Sequence, residues 1–400
     1  MKFKQDMKQK QPWDVFGKSK EDLSKRFEKT LTHVSLFSGC GGLDLGFSAA
    51  GFETVFAIDI NKDAIQTYQH NLGAIHEKDI TQIQTAMIHP RPSVLTAGFP
   101  CQAFSNAGNR KGVMDQRGQL FNEALRVIRD IKPRSVVFEN VRGMLSIDNG
   151  HGKRLIEQIC ENLDELGYYV SFKLIDTSEF NVGQRRIRII IVGIEKELQR
   201  HFYFPNVRQD YDLTLGNILS GLADEVSNQK EILALSPQSQ RMNMMIPEGG
   251  SWKDVPYDQL PHRLQKIRDN MKRYHSPNFY RRFHRSEIAG TITASFTPEN
   301  AGVLHPTEKR LFSVRESARI QSFPDWFVFH GTNVKAKLAQ IGNAVPPRLA
   351  YELAVSLKSC IIDDGSLQHC RFDNFEEYAA RGFKLKTTDP MIIMSSLICN

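Results

Sequence analysis

The chain has 400 residues, of which 40% are hydrophobic, enough for a large core that we expect to be divided between two domains. Its net charge of +7 suits a polyanionic partner without identifying one. No apolar run approaches the length of a membrane span and no signal peptide is visible, so we expect a cytoplasmic protein. The six cysteines form no C-x-x-C pair, which argues against a zinc site and a disulfide framework.

A βαβ pattern begins after residues 1–30, a polar, Lys-rich stretch that we interpret as an extension. An apolar strand at 33–37 leads into a glycine turn at 38–42, then a helical stretch and a second strand that ends at Asp59. Glycines let the backbone approach a ligand, and an acid in this position commonly binds ribose hydroxyls. The layout predicts a nucleotide-type cofactor but fits a nicotinamide enzyme equally well.

A thiol and a carboxylate each follow a short apolar strand further along the chain. Cys101 lies in a Gly-Phe-Pro-Cys-Gln turn after the strand at 93–97, and Glu139 follows the strand at 135–138. Open α/β sheets place their chemistry at the carboxyl ends of parallel strands. A lone cysteine is more often a small buried hydrophobe, so this turn does not establish a catalytic role by itself.

Five motifs occur in a fixed order along the chain. They are Phe-Ser-Gly-Cys-Gly-Gly at 37–42, Pro-Cys-Gln at 100–102, Glu-Asn-Val at 139–141, Gln-Arg-Arg-Ile-Arg at 184–188 and Gly-Asn-Ala-Val at 342–345. In this order the chain resembles the DNA cytosine-5 methyltransferases of bacterial restriction–modification systems, over about residues 32–356. The resemblance implies an α/β fold: a Rossmann-like methyltransferase domain with a mixed, mostly parallel sheet and helices on both faces, plus a smaller target-recognition domain.

The resemblance also selects S-adenosylmethionine as the cofactor. By position, it implies that Asp59 binds the ribose hydroxyls and that Asp79 contacts the adenine amino group. Asp79 is equally suited to cap a helix, and both roles are compatible. Ile60 stands where the family commonly has an aromatic residue, which leaves an aliphatic contact with adenine. The full set of implied cofactor-binding residues is Phe37, Gly39, Gly41, Gly42, Asp59, Ile60, Asp79, Ile80, Pro100 and Asn343.

Four residues carry the implied chemistry. Cys101 is expected to add to C6 of cytosine, which makes C5 nucleophilic, and Glu139 to bind N3 and the exocyclic amine. Arg188 is expected to hold the cytosine carbonyl, with Arg186 supporting the site from the same face of the strand. The target base must be flipped out of the duplex for this chemistry. No metal is expected.

Composition shifts at about residue 195. We expect five regions: an extension at 1–30, a catalytic and cofactor-binding domain at 31–195, a target-recognition domain at 196–313, a return to the catalytic domain at 314–360, and a tail of unassigned role at 361–400.

Basic and aromatic residues interleave between residues 266 and 285, a pattern that suits phosphate and base-edge contacts but also an ordinary solvated surface. We expect a strand at 291–293 in the same domain. The predicted DNA contacts are Gln102, Ser105, Arg273, Arg281, Arg282 and Arg285.

The predicted function is methylation of C5 of a cytosine in a specific duplex DNA site by a monomer, with a cognate endonuclease as a possible separate partner. A tRNA cytosine-5 methyltransferase and a catalytically inactive DNA-binding protein remain alternatives. The long basic segment favours duplex DNA over RNA, and the filled catalytic positions disfavour an inactive protein.

Overall fold

A computed structural model describes residues 10–25, 31–99, 119–147, 154–271 and 277–362, and the structural statements below concern these residues. None of the helices in these ranges is both long and apolar enough to cross a membrane. The same ranges contain no group of three side chains that could hold a metal ion.

The core of the molecule is a seven-stranded sheet with the order β3-β2-β1-β4-β5-β7-β6. Its strands are β1 Leu31–Leu36, β2 Phe52–Asp59, β3 His76–Glu77, β4 Val94–Ala97, β5 Ser135–Val141, β6 Tyr168–Asp176 and β7 Ile187–Glu195. Neighbours from β3 to β5 are parallel, whereas β7 runs antiparallel to both β5 and β6. The predicted mixed, mostly parallel sheet is confirmed.

Helices cover both faces of the sheet, as predicted. The helices of the described residues are α1 Lys20–Lys25, α2 Gly42–Ala49, α3 Lys62–Asn71, α4 Gln119–Ile131, α5 Leu155–Glu165, α6 Leu215–Ile218, α7 Pro237–Met245, α8 His262–Asp269, α9 Val314–Ile320, α10 Val334–Asn343 and α11 Pro347–Ile361. Side chains of a strand alternate between faces, so Val137 packs with α2 and α11 while Val136 and Phe138 pack with α4 and α5.

The strand order reverses at β1, because the chain adds β2 and β3 on one side of it and β4 and β5 on the other. Such a reversal opens a crevice outside the carboxyl ends of the strands, where α/β proteins bind ligands. His33 of β1 joins β2 and β4, since its ring nitrogens lie 3.0 Å from Oγ1 of Thr54 and 2.8 Å from Oγ1 of Thr96. Burial lowers the pKa of His33 to about 3, so the ring is neutral.

Residues 10–25 anchor three apolar side chains in the core, which the prediction of a polar extension did not include. Trp13, Phe16 and Leu23 are buried in one hydrophobic cluster. The guanidinium of Arg319 lies 5.2 Å from the centre of the Trp13 ring. The few apolar residues here are too widely spaced to reveal an amphipathic element in the sequence, yet each finds a buried site.

The stretch predicted as a recognition domain, 196–313, has little regular structure. Its described part contains short helices but no strand, so the prediction of a strand at 291–293 is wrong. Ala289 instead forms an isolated bridge with Gln184, just before β7. The hydrophobic cluster of this region continues into α9, α10 and residues 13–23, without a break at the predicted boundary at residue 313.

Candidate active site and cofactor cleft

Glu139 and Arg188 face one another at the edge of the sheet that the carboxyl ends of β4 and β5 form. Val141 of β5 pairs with Arg188 of β7, and Glu139 lies two residues from Val141 on the same face. Nε of Arg188 is 2.9 Å from Oε1 of Glu139, and both side chains are largely buried, with exposures of 14% and 10%. The predicted partners in base binding therefore form an ion pair.

The carboxylate of Glu139 retains acceptor capacity. Its buried Oε1 accepts no aligned hydrogen bond, so its contact with Arg188 rests on distance and charge. Its Oε2 would lie 3.9 Å from a Cβ placed on Gly98, the first residue of the Gly-Phe-Pro-Cys-Gln turn. A hydrogen-bond acceptor is therefore held directly beside the start of the cysteine-bearing turn.

Two residues that the sequence did not single out fix the start of this turn. Nδ2 of Asn140 donates to the carbonyl oxygen of Phe99 at 3.2 Å. The Phe99 ring is buried against Phe121 and Phe138, at centroid distances of 5.5 and 5.6 Å. In the sequence, the position of Asn140 within the Glu-Asn-Val motif could have pointed to this role. Pro100, Cys101, Gln102, Ser105 and Arg273 lie outside the described residues.

Arg186 is buried, and its guanidinium is directed at backbone carbonyls. Nη1 donates to Ile292 at 2.8 Å, and Nη2 to Gly342 at 2.9 Å and Ala344 at 3.4 Å. Burial, and secondarily the charge of Arg188, lowers the pKa of Arg186 to about 9. These contacts assign Arg186 a positioning role between distant segments rather than a contact with the substrate.

The turn after β1 and the end of β2 lie side by side at the crevice that the reversal of strand order predicts, which we call the cofactor cleft. Gly39 has φ +55°, and a Cβ there would meet no atom within 4 Å. Its N–H donates to Oδ2 of Asp59 at 2.7 Å, and the N–H of Asn61 donates to Oδ1 at 2.8 Å. Ile60 is 67% exposed beside this carboxylate, and Phe37 adopts φ 54° at the start of the turn.

Gly41 and Gly42 are required for packing against protein. A Cβ on Gly41 would lie 2.2 Å from Cδ1 of Leu72, and one on Gly42 would lie 2.3 Å from the carbonyl oxygen of Val345. Their missing side chains therefore make room for the chain itself, and contact of their backbone with the cofactor stays a prediction. The second contact also brings the Gly-Asn-Ala-Val segment, with its exposed Asn343, against the glycine turn.

Asp79 caps a 3₁₀ turn, as its alternative role predicted. Its Oδ1 accepts hydrogen bonds from the N–H of Thr81 at 2.9 Å and from the hydroxyl of Thr81 at 2.8 Å. Ile80 is 4% exposed and packs into the core on the α4 side of the sheet. Because it is buried, the side chain of Ile80 offers little surface to a cofactor.

The described arginines predicted to contact DNA differ in accessibility. Arg282 is 1% exposed, and its guanidinium donates to the carbonyls of Ile246, His305, Glu308 and Asn243. These carbonyls and the surrounding protein enclose it, so a phosphate cannot reach it, which corrects the prediction for this residue.

Arg281 and Arg285 are each paired with a carboxylate. Nη2 of Arg281 lies 3.0 Å from Oε1 of Glu287, and the side chain is 24% exposed. Arg285 is 58% exposed, and its Nε and Nη2 donate to the two carboxylate oxygens of Glu248, each at 2.8 Å. Arg285 therefore presents the most accessible guanidinium of the three, held in one orientation.

Asp44 is a buried carboxylate that the motifs did not mark. It accepts hydrogen bonds from the hydroxyls of Ser35 at 3.0 Å and Tyr68 at 2.7 Å, and so joins β1, α2 and α3 behind the cleft. Burial raises its pKa to about 6. The only signal in the sequence was an acid inside an otherwise apolar helix.

Residues 196–343 contain short helices but no strand in their described part, and we call them the irregular half. A cavity of about 530 Å³ lies in this half. Arg285, Lys230 and His305 are among its lining residues, whereas Glu139, Arg188 and Asp59 are not. It is therefore separate from the paired charges at the sheet edge.

The seven-stranded sheet, with its antiparallel β7, has a Rossmann-like fold. Two solved structures share this fold: Entamoeba histolytica methyltransferase EhMeth, with TM-score 0.57 and 17% identity over 85% of this chain and 100% of that one, and a Spodoptera frugiperda DNMT2 mutant, with TM-score 0.56 and 18% identity over 82% and 100%.

The chain belongs to the C-5 cytosine-specific DNA methylase family, whose model matches residues 31–359. It is 38% identical to type II methyltransferase M.NgoFVII of Neisseria gonorrhoeae, over 83% of this chain and 87% of that protein. It is 35% identical to type II methyltransferase M.Sau96I of Staphylococcus aureus, over 83% and 76%. The protein is a DNA (cytosine-5-)-methyltransferase, as the order of its motifs predicted.

Proposed function

We propose that this enzyme methylates one cytosine within a specific short duplex DNA site and protects host DNA in a type II restriction–modification system. The observation that carries the site assignment is the Glu139–Arg188 pair beside Gly98. The protective role is supported by the relatives in Neisseria and Staphylococcus, both named type II methyltransferases. A cognate endonuclease would be a separate protein.

Cys101 is the proposed nucleophile. Consecutive Cα atoms are about 3.8 Å apart, so three residues cannot carry Cys101 more than about 11 Å from Gly98. The thiolate forms a bond to C6 of cytosine, and the electrons of the C5–C6 double bond make C5 nucleophilic. After transfer, the C5 proton leaves to a base, the double bond re-forms, and the thiolate is expelled.

Glu139 and Arg188 are proposed to bind the ring while sulfur adds. The carboxyl group of Glu139 holds N3 and the exocyclic amine, and Arg188 holds the carbonyl oxygen, which limits the negative charge that develops on the ring. Both side chains are largely buried, so a base stacked within a duplex cannot reach them. We therefore propose that the target base is flipped out.

The cleft beside Gly39 fits S-adenosylmethionine, which supplies an electrophilic methyl group when bound. The carboxylate oxygens of Asp59 each accept one backbone N–H and have lone pairs left for ribose hydroxyls. Ile60 offers an exposed apolar surface to adenine. Phe37, Asp79 and Asn343 complete the proposed set.

Target recognition is assigned to residues 196–313, with Arg285 as the leading described contact. Exchanging this segment for that of a relative is expected to move the methylated site while the reaction is retained. Bisulfite sequencing of host DNA from cells that express the enzyme or the chimera measures both sites. An active chimera that still methylates the original site would contradict the assignment.

A duplex that carries 5-fluorocytosine at the target tests the mechanism. Fluorine cannot leave C5 as a cation, so the enzyme is expected to remain joined to DNA through Cys101 in an adduct that survives denaturing electrophoresis. Cys101→Ala should abolish the adduct and methyl transfer while leaving duplex binding largely intact. A crosslink mapped to Cys40 or Cys160 would overturn the assignment. A parallel assay on tRNA distinguishes the RNA alternative.

A further inference from the structure

Three buried polar side chains lie where distant parts of the chain meet. Gln184, Arg186 and Gln321, which we call the junction cluster, are all at most 2% exposed. Nε2 of Gln184 donates to Oε1 of Gln321, although the two residues are 137 positions apart. Arg186 is two residues from Arg188 of the candidate active site, so the cluster adjoins β7, the strand that carries Arg188.

The junction cluster holds one residue of the irregular half by both of its backbone groups. The N–H of Ile292 donates to Oε1 of Gln184 at 3.0 Å, and its carbonyl accepts from Nη1 of Arg186 at 2.8 Å. A Cβ on Gly342 would lie 2.3 Å from the carbonyl carbon of Thr293, so the end of α10 also packs closely against this stretch. Ile292 lies seven residues beyond Arg285.

The same side chains hold the segment around Asn343. Nε2 of Gln321 donates to the carbonyls of Ile341 at 2.6 Å and Ala344 at 3.2 Å, and Nη2 of Arg186 donates to Gly342 at 2.9 Å. Some of these carbonyls belong to the end of a helix, where the backbone has no helical partner. The segment reaches the cofactor cleft through the contact of Val345 with Gly42.

We propose that Gln184 and Gln321 are positioning residues that, with Arg186, couple the cofactor cleft to the DNA-reading segment. When residues 341–345 are ordered, their carbonyls hold the side chains of Gln321 and Arg186 in place. Gln321 then holds the side chain of Gln184, and Arg186 and Gln184 together hold the backbone of Ile292. Occupation of the cofactor cleft then favours the arrangement that binds DNA, and DNA favours cofactor binding by the same factor. This inference rests on the proposed placement of the cofactor at Asn343 and of DNA on residues 196–313.

The test compares Gln321→Met with Gln340→Met in the full-length enzyme. Methionine keeps the length of glutamine but removes its hydrogen bonds. Gln340 is a matched control because it is also a buried glutamine, on α10, whose Nε2 donates to a carbonyl, that of His330, outside the junction cluster. The measured quantity is the duplex dissociation constant without S-adenosylhomocysteine divided by that with saturating S-adenosylhomocysteine.

We expect this ratio to be at least about fivefold in the wild type, to fall below about twofold in Gln321→Met, and to be unchanged in Gln340→Met. A purely structural role would weaken DNA binding equally with and without the ligand and leave the ratio intact. A ratio of one in the wild type, or a wild-type ratio in Gln321→Met, overturns the proposal.

Gln184→Met is the second variant, for use if Gln321→Met does not fold, and the same loss of the ratio is expected. The 5-fluorocytosine adduct separates this inference from the proposed function. If the wild type forms the adduct and the variants keep the ratio, only the coupling fails. If the wild type forms no adduct, the proposed function fails first.

Discussion

The two halves of this enzyme satisfy their backbone polar groups in different ways. In the sheet, strands bond to strands, and most of the buried side chains on these strands are apolar. In the irregular half, buried arginine side chains donate many of the hydrogen bonds that backbone carbonyls accept. Arg315 donates to the carbonyls of Ser227, Pro324 and Phe327, and Arg319 to those of Ile218 and Ser220.

The difference shows what an irregular chain needs in order to be buried. Carbonyls without a ladder partner must find another donor, and a guanidinium offers five N–H groups from one side chain. Burial has a cost, because it lowers the pKa of Arg315 to about 10. An arginine in such a segment is therefore as readily an internal donor as a DNA contact.

The largest expected effect follows from removing one of these donors. Arg282→Met leaves buried carbonyls at Ile246, Asn243 and His305 without this partner and should lower the free energy of unfolding by roughly 3–5 kcal/mol. Urea unfolding measures it. Arg285→Met is the control, since the exposed pair with Glu248 should matter little for stability while its loss weakens DNA binding. Equal destabilisation by both variants would contradict the comparison.

In the half that contains the sheet, the corresponding prediction concerns how the buried carboxyl group of Asp44 changes stability with pH. Its pKa is raised from 3.8 to about 6, so the folded state holds the proton more tightly than the unfolded chain. The free energy of unfolding should therefore fall as pH rises from about 4 to about 6, by on the order of 3 kcal/mol, and Asp44→Asn should remove this contribution. Urea unfolding of both proteins at pH 4 and pH 7 measures the difference. A difference that does not change with pH would count against a shifted Asp44.

The close contact at the glycine turn gives a smaller effect. Gly42→Ala places a Cβ 2.3 Å from the carbonyl oxygen of Val345 and should cost about 2–3 kcal/mol while weakening S-adenosylmethionine binding. Gly221→Ala is the control, because its φ of +61° is strained for alanine but its Cβ would meet nothing within 4 Å. We expect about 1 kcal/mol there and unchanged cofactor affinity by calorimetry. Equal cofactor affinity in both variants would show that the close approach of Val345 is not needed.

Much of the sheet could be predicted from the sequence, because its strands and covering helices carry local apolar patterns. The apolar spacing of residues 153–166 predicts a helix, which is α5 Leu155–Glu165, and its Cys160 packs against the core. The β-branched run at 187–194 predicts a strand, which is β7 Ile187–Glu195. Strand β6 Tyr168–Asp176 was not predicted, although apolar Val170, Phe172 and Leu174 alternate with polar Ser171 and Lys173.

The sequence by itself determined the family, the order of the motifs and the residue types of the site, since each motif is a short run whose chemistry is local. Only the tertiary structure decided which charged side chains are accessible. Arg282 and Arg285 are three residues apart in one basic stretch, yet one is enclosed by carbonyls and the other is exposed. Likewise, Gln184 meets Gln321 across 137 positions. Periodicity and spacing report neighbours along a helix or strand, whereas these partners are set by how the irregular chain folds back on the sheet.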